Sequence, residues 1–463
     1  MTTRIEQDSL GSHEVPVSAY YGVQTARALA NFPISGIALS TYPHFVTALA
    51  AVKHAAAEAN RELGLLDHER ADVITAACRE IAAGELHDQF VVDVIQGGAG
   101  TSTNMNANEV IANRALELLG SHRGDYERLH PLEHVNRSQS TNDVYPTAIK
   151  VALQGQIATL RTALTDLVAG FAAKADEFAT VLKMGRTQLQ DAVPMTLGQE
   201  FSTYAVMLSE DAERLREAAL LVTEINLGGT AIGTGLNAHP SYAALACEKL
   251  SAITGFRLST AGNLVEATQD VGAFVQVSGV LKRTALKLSK ICSDLRLLSS
   301  GPRSGLNEIN LPAVQAGSSI MPGKVNPVIP EAVNQVAFEV VGNDVTISMA
   351  AEAGQLQLNA FEPIIAHCLF QSIGHLTAAC QTLLDRCVVG ITANRERLYE
   401  SVTNSIGVIT ALNPYIGYAT AARIAKTALE SGRPIPDIVV AEGLLSADRV
   451  AELLTPESLV GPQ

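Results

Sequence analysis

Apolar residues recur along the middle of the chain at the spacing of one helix face. Leu160, Leu164, Leu167, Val168 and Phe171 fall at i, i+4, i+7, i+8 and i+11, and Val277, Leu281, Ala285, Leu288 and Cys292 follow a similar spacing. Between them, residues 196–221 carry Met207, Leu208, Leu215, Leu220 and Leu221 among interspersed Glu and Arg, and Val333, Val336, Ala337 and Val340 line a further face. Faces of this length predict a bundle of long helices. Strand-like alternation is scarce, so the expected fold class is mainly α. Gly and Pro cluster only at 96–100, 228–235, 301–305 and 317–327. One break is expected near the His130–Pro131 turn and another after the last long apolar helix. The reading is therefore a three-domain subunit: an N-terminal helical domain over 1–138, a central long-helix bundle over 139–393, and a small C-terminal helical domain over 394–463. Short helices are expected in the last, one starting at an N-cap Ser446 and running through Val450 and Leu454.

A chain of 463 residues agrees with about three domains at one per ~150 residues. Hydrophobic residues at 47% and charged ones at 17% exclude a disordered protein. Aromatics at 5%, with no Trp, argue against a sandwich, barrel or propeller. Lys and Arg total 33 against 47 Asp and Glu, a net charge of −14, so a nucleic-acid partner is not expected. None of the six cysteines forms a C-x-x-C pair, and free, mostly buried thiols in a reducing compartment are expected. The opening twenty residues carry Glu6, Asp8 and Glu14 and lack the pattern of a signal or transit peptide. No run approaches the ~18 apolar residues of a membrane helix. A soluble cytoplasmic protein is the expectation.

The polar residues gather in four stretches rich in Gly, Ser, Thr and Asn: 97–109, 136–143, 184–191 and 317–327. Taken singly, each reads as helix capping, because each precedes an expected helix. Together they offer many neutral donors and few carboxylates, an inventory suited to a small ligand with negative groups such as a dicarboxylate. Lys324 and Asn326, in a loop framed by Gly and Pro, add a point charge and close backbone approach. The 228–235 stretch is neither a Walker loop, lacking Gly-Lys-Ser/Thr, nor a dinucleotide fingerprint, lacking a preceding strand. His130 and His134 stand at i, i+4, but Pro131 interrupts them and no third ligand is near. A hydrogen-bonding or site-lining His134 is the better reading, and no metal site is assigned. Asp143 and Asp191 are expected to pair with Arg137 and Arg186.

The 317–327 stretch, Gly-Ser-Ser-Ile-Met-Pro-Gly-Lys-Val-Asn-Pro, resembles the signature of the aspartase/fumarase superfamily. The likeness continues through the other three stretches and over essentially the whole chain from Tyr20-Tyr21-Gly22. Ser102, Ser140-Thr141-Asn142, Gln188, His134 and residues 354–359 resemble the aspartase branch. Gly323, Asn237–Pro240 and the tail lean to the class II fumarase branch. The resemblance implies a mostly helical three-domain subunit. It also implies a homotetramer with a helical core, whose active sites each combine loops from three chains.

The implied reaction is reversible deamination of L-aspartate to fumarate and ammonia. The alternative on the same fold is hydration of fumarate to malate. Larger-substrate lyases of the superfamily, and an inactive homologue that would have lost Ser318, Lys324 or Asn326, fit less well. Proton removal from Cβ needs a base and stabilisation of the aci-carboxylate it creates. By resemblance Ser318 is the base, acting as an alkoxide that backbone N–H groups and the Lys324 charge would stabilise. Lys324 and Asn326 would hold a substrate carboxylate, and Thr187 and Gln188 would contact one. Thr101, Ser140, Thr141 and Asn142 would surround the amino group or the β-carboxylate, and Ser319 would bind. No cofactor is required. Some family members respond to divalent cations, but no ligand cluster in the sequence marks such a site.

Overall fold

The computed structural model describes residues 2–460; Met1 and residues 461–463, the ends of the expected first and third domains, lie outside the described residues. A hairpin, β1 (Thr3–Asp8) and β2 (Gly11–Pro16), opens the chain. Helices follow: α1 (Val23–Asn31), α2 (Pro43–Glu62), α3 (His68–Ala82), α4 (Thr101–Leu118) and the 37-residue α5 (Thr141–Glu177). A second hairpin, β3 (Leu182–Thr187) and β4 (Gln190–Thr196), leads into α6 (Leu197–Leu221). Then come α7 (Tyr242–Thr254), α8 (Leu264–Ala267), α9 (Gly272–Leu298), α10 (Val328–Glu352) and α11 (Glu362–Arg386), with short helices beyond. Strands among the described residues occur only as four two-stranded pairs, so the chain is mainly α.

The chain divides into two compact units, each assembled from three separated segments. One holds 1–161, 213–283 and 338–376; the other holds 162–212, 284–337 and 377–463. Each of the five long helices, α5, α6, α9, α10 and α11, contributes residues to both.

In the first unit α2 packs on α3 and α7, and α3 on α4. Pro43 starts α2, where its missing N–H costs nothing. Asp67 caps α3, accepting from the backbone N–H of Arg70 at 2.9 Å. Small side chains let α2 be buried on nearly every face, from Ala48 through Ala59. In the second unit Leu182 and Met184 of β3 pack with Val402 and Val408. A separate core over Ile409–Leu453 gathers the last short helices. Among these, Ser446 accepts from the N–H of Arg449 and starts the Ala447–Leu453 helix, one residue shorter than expected.

The predicted faces are buried: Leu160, Leu164, Leu167 and Phe171 on α5, and Val277 through Cys292 on α9. In α6 Leu208 and Leu215 are buried, whereas Leu220 and Leu221 are exposed. All six cysteines are free and buried. Among the described residues no helix is long and apolar enough to cross a membrane.

Candidate active site

The ten candidate residues fall in both units. Thr101, Ser140, Thr141 and Asn142 belong to the first; Thr187, Gln188, Ser318, Ser319, Lys324 and Asn326 belong to the second.

Thr101 is the first residue of α4. The backbone reaches it through three consecutive residues with left-handed φ, Gly98, Ala99 and Gly100. Gly100 is required: a Cβ there would stand 2.4 Å from the Tyr145 ring. With no side chain at the cap position, Gln96 supplies the capping atom from outside. Its Oε1 accepts from both the N–H and the hydroxyl of Thr103 at 3.0 Å. Thr101 donates its hydroxyl to the Gly98 carbonyl and is exposed.

The 136–143 stretch runs into α5. Ser140 Oγ accepts from the N–H of Asn142 at 3.3 Å, and Asp143 Oδ1 accepts from the N–H of Ser140 at 3.0 Å. The expected Asp143–Arg137 pair is absent. Asp143 is fully buried, and its other oxygen accepts the N–H groups of Gly228 and Thr230 at 3.0 and 2.9 Å. A carboxylate taking three backbone donors is satisfied without a cation. Burial pushes this carboxyl up, to about 6, against those donors and the Lys53 charge. The 228–235 loop, assigned no role from sequence, is thus the clamp behind the second stretch. Asn142 Nδ2 also donates to its Ala231 carbonyl at 2.7 Å. Asn104, one turn into α4, donates its Nδ2 to Thr141 Oγ1 at 3.1 Å and joins the first two stretches.

The 184–191 stretch caps no helix, because β4 stands between it and α6. It is the β3–β4 hairpin, with Thr187 opposite Gln190. Gln188 and Leu189 form its two-residue turn with φ of 53° and 62°, the left-handed pair a type I′ turn demands. Neither is Gly or Asn, so sequence signals for such a turn are missing. Both side chains stand exposed at the tip. Arg186 pairs not with Asp191 but with Glu308, its Nη2 lying 2.6 Å from Glu308 Oε1. Glu308 also meets Lys183 at 2.8 Å, and both are buried. Asp191 instead accepts the Ser405 hydroxyl at 3.1 Å. Arg186 and Asp191 stand opposite each other across the hairpin, yet each is taken by a partner from a distant segment of the chain, Glu308 and Ser405.

The 317–327 stretch is a loop ending at α10, closed at its neck. Gly317 donates its N–H to the Lys324 carbonyl at 2.8 Å, and Asn326 Nδ2 donates to the Gly317 carbonyl at 2.7 Å. A Cβ on Gly317 would lie 2.6 Å from the Lys324 oxygen, so only glycine permits this closure. Inside the loop, Ser318 Oγ accepts the backbone N–H groups of Ile320 and Met321 at 3.1 and 2.9 Å. Ser319 and Lys324 are exposed, and Asn326 is half-buried.

His134 Nδ1 accepts from the N–H of His130, and His130 Nδ1 in turn accepts from Leu132 and Glu133. Both rings therefore serve the turn before the second stretch. Among the described residues no group of three or more His, Cys, Asp or Glu is placed to hold a metal.

A family model described as lyase matches residues 11–342, and one described as fumarase C C-terminus matches 408–461. An aspartate ammonia-lyase of Pseudomonas aeruginosa is 62% identical over 463 residues, spanning 100% of this chain and 98% of that protein. A Brucella melitensis structure described as fumarate lyase:delta crystallin bound to cobalt superposes at a TM-score of 0.97 and 58% identity, with 100% of both chains covered. A class II fumarase of Schistosoma mansoni superposes at 0.94, also over 100% of both chains, but at 36% identity. The chain belongs to the aspartase/fumarase superfamily of lyases and, within it, to the aspartate ammonia-lyase family.

Proposed function

We propose that this chain catalyses the reversible deamination of L-aspartate to fumarate and ammonia, with Ser318 as the base that removes the Cβ proton. The observation that carries the reading is the Ser318 oxygen held by two backbone N–H groups. A serine hydroxyl is a poor base at neutral pH. Fixed donors aimed at its oxygen favour the alkoxide, and their reorganisation is complete before substrate arrives. The Lys324 ammonium on the same loop adds positive charge.

The remaining groups divide by what their atoms have left to give. Thr141 Oγ1 accepts from Asn104, so its own hydrogen is free to donate to a carboxylate. Asn142 spends a side-chain N–H on Ala231, and its side-chain oxygen has no partner among the described residues, which suits the amino group of aspartate. Thr101, Ser140 and Ser319 supply further hydroxyls, and Thr187, Gln188, Lys324 and Asn326 take the other carboxylate. Ammonia leaves from the aci-carboxylate as the double bond forms. The reaction draws on no cofactor.

The candidates are completed into one site in a homotetramer, with loops from three chains, a central long-helix domain over 139–393 and flanking domains over 1–138 and 394–463. Large apolar side chains left exposed on the long helices support this: Leu220, Phe338, Val345 and Met349 in the first unit, Val206, Leu286 and Leu297 in the second. We place the protein in the cytoplasm, acting on a small dicarboxylate rather than nucleic acid or membrane.

Malate is the second reading, and Gly323 leans towards it. Gly323 adopts φ of +77° with nothing within 4 Å of its would-be Cβ. That makes it a backbone choice and weakens its bearing on substrate. Absorbance of fumarate, followed with L-aspartate and separately with L-malate, tests the proposal: fumarate from aspartate alone is expected, and fumarate from malate alone overturns it.

A further inference from the structure

Lys53 lies in the Ala-rich run of α2 and is completely buried, with no carboxylate in contact. Its Nζ donates to three amide oxygens, Asn104 Oδ1 at 2.7 Å, Asn136 Oδ1 at 2.9 Å and Gln139 Oε1 at 2.9 Å. An ammonium carries three N–H donors and no acceptor, so these three oxygens saturate it. A neutral amine would offer two donors and turn a lone pair on the third oxygen. All three amides belong to the first two polar stretches or their first turns, and none was singled out from sequence.

The contact with Asn104 has a direction. Because an ammonium can only donate, Asn104 must face Lys53 with its oxygen. Its NH2 then faces Thr141, and it donates to Thr141 Oγ1 at 3.1 Å. With its oxygen occupied as an acceptor, the Thr141 hydroxyl keeps its hydrogen for another partner. A chain of hydrogen bonds polarised from a charged end strengthens each link.

We propose that Lys53 is a positioning residue for the substrate, acting through Asn104 to commit the Thr141 hydroxyl as a donor to the substrate carboxylate. The inference rests on the reading of Thr141 as a substrate-binding residue. Burial pulls the Lys53 ammonium down, to about 7; the charge that opposes this is Asp143, also fully buried, and the Cys78 thiol is the other titratable group near it. Asp143 binds the loop behind the second stretch, so the buried cation and the buried anion hold the start of α5 from two sides.

The test is a double-mutant cycle read on fumarate affinity, by calorimetry on the whole assembled protein, and on kcat/KM. Asn104→Asp keeps an acceptor for Lys53 but cannot donate to Thr141, whose hydrogen then turns to the new carboxylate. It should still fold, since the ion pair gained with Lys53 offsets the hydrogen bond lost to Asn136 Oδ1, yet lose about 10- to 100-fold in kcat/KM and in fumarate affinity. Thr141→Val should lose a comparable factor. The double variant should lie within about threefold of the worse single variant, because both break one chain. Losses that multiply would overturn the proposal, since repulsion between a new carboxylate and the substrate acts independently of Thr141. Parental affinity in folded Asn104→Asp would overturn it as well. Lys53→Met, where it folds, should also fail to add to Thr141→Val, and additive losses there count against the relay. Fumarate is common to the aspartate and malate reactions. Failure of aspartate turnover with intact fumarate binding therefore removes the substrate reading alone, whereas a parent that binds no fumarate overturns both.

Discussion

Met321 donates its backbone N–H to the hydroxyl oxygen of Ser318 across 2.9 Å. With Ile320 also donating, at 3.1 Å, the proposed base sits in a small anion-binding turn built from its own loop. The turn keeps its shape because Gly317, one residue earlier, is closed onto Lys324 and Asn326.

That closure can be tested without touching Ser318. Gly317→Ala would place a methyl group 2.6 Å from the Lys324 carbonyl oxygen and 2.8 Å from the Asn326 nitrogen, both backbone atoms that cannot step aside. The neck must open. A misplacement of about 1 Å costs about 100-fold in rate, so kcat/KM should fall at least that far. The loop contributes little to either core, so thermal melting should be nearly unchanged. An alanine variant with parental kcat/KM would show that the neck is irrelevant to catalysis.

The hairpin that carries Thr187 and Gln188 depends on Glu308. This buried carboxylate bridges Lys183 and Arg186, and Arg186 immediately precedes Thr187. Glu308→Gln leaves Arg186 facing a neutral amide and Lys183 with Glu200 as its remaining carboxylate. Breaking such a pair costs about 3 kcal/mol, so the melting temperature should drop clearly. KM for aspartate should rise more than kcat falls, since the hairpin binds rather than reacts. A variant with parental melting and parental KM would remove Glu308 from the account.

Much of this organisation was legible in the sequence, and the misses are of two kinds, an atypical turn and partners distant along the chain. The buried faces of α5 and α9 follow from spacing alone, because one helix determines which of its own residues line up. The cap at Ser446 is equally local. The β3–β4 hairpin was missed because its turn is Gln188-Leu189, where the expected signal is Asn-Gly or Asp-Gly. The partners of Asp143 and Asp191 were sought among neighbours in sequence and found 85 and 214 residues away. Lys53 is the extreme case. It sits in a run of alanines, and the oxygens around it come from 51, 83 and 86 residues further on. Only the fold brings them together.

Stability should also carry a pH signature from Glu362. Burial raises its carboxyl from 4.5 to about 8, with Lys150 pulling it back. Between those values the folded chain keeps a proton that the unfolded chain has lost. The stabilisation is full below about pH 4.5 and is lost as pH rises through about 8. Glu362→Gln stays neutral throughout. Its stability relative to the parent should therefore grow between pH 5 and pH 8, by an amount on the order of a few kcal/mol. Melting curves at both pH values decide it. A difference that does not change with pH would mean that Glu362 is ionised in the fold, with Lys150 as its counter-charge.

The central claim is that Ser318 removes the Cβ proton of aspartate. Fumarate absorbance, recorded with L-aspartate for the parent and for Ser318→Ala side by side, addresses it most directly. The account predicts that kcat falls by about 10²- to 10⁴-fold in the variant, the range for loss of a positioned base, while fumarate still binds. A Ser318→Ala protein that deaminates aspartate at the parental rate would contradict it.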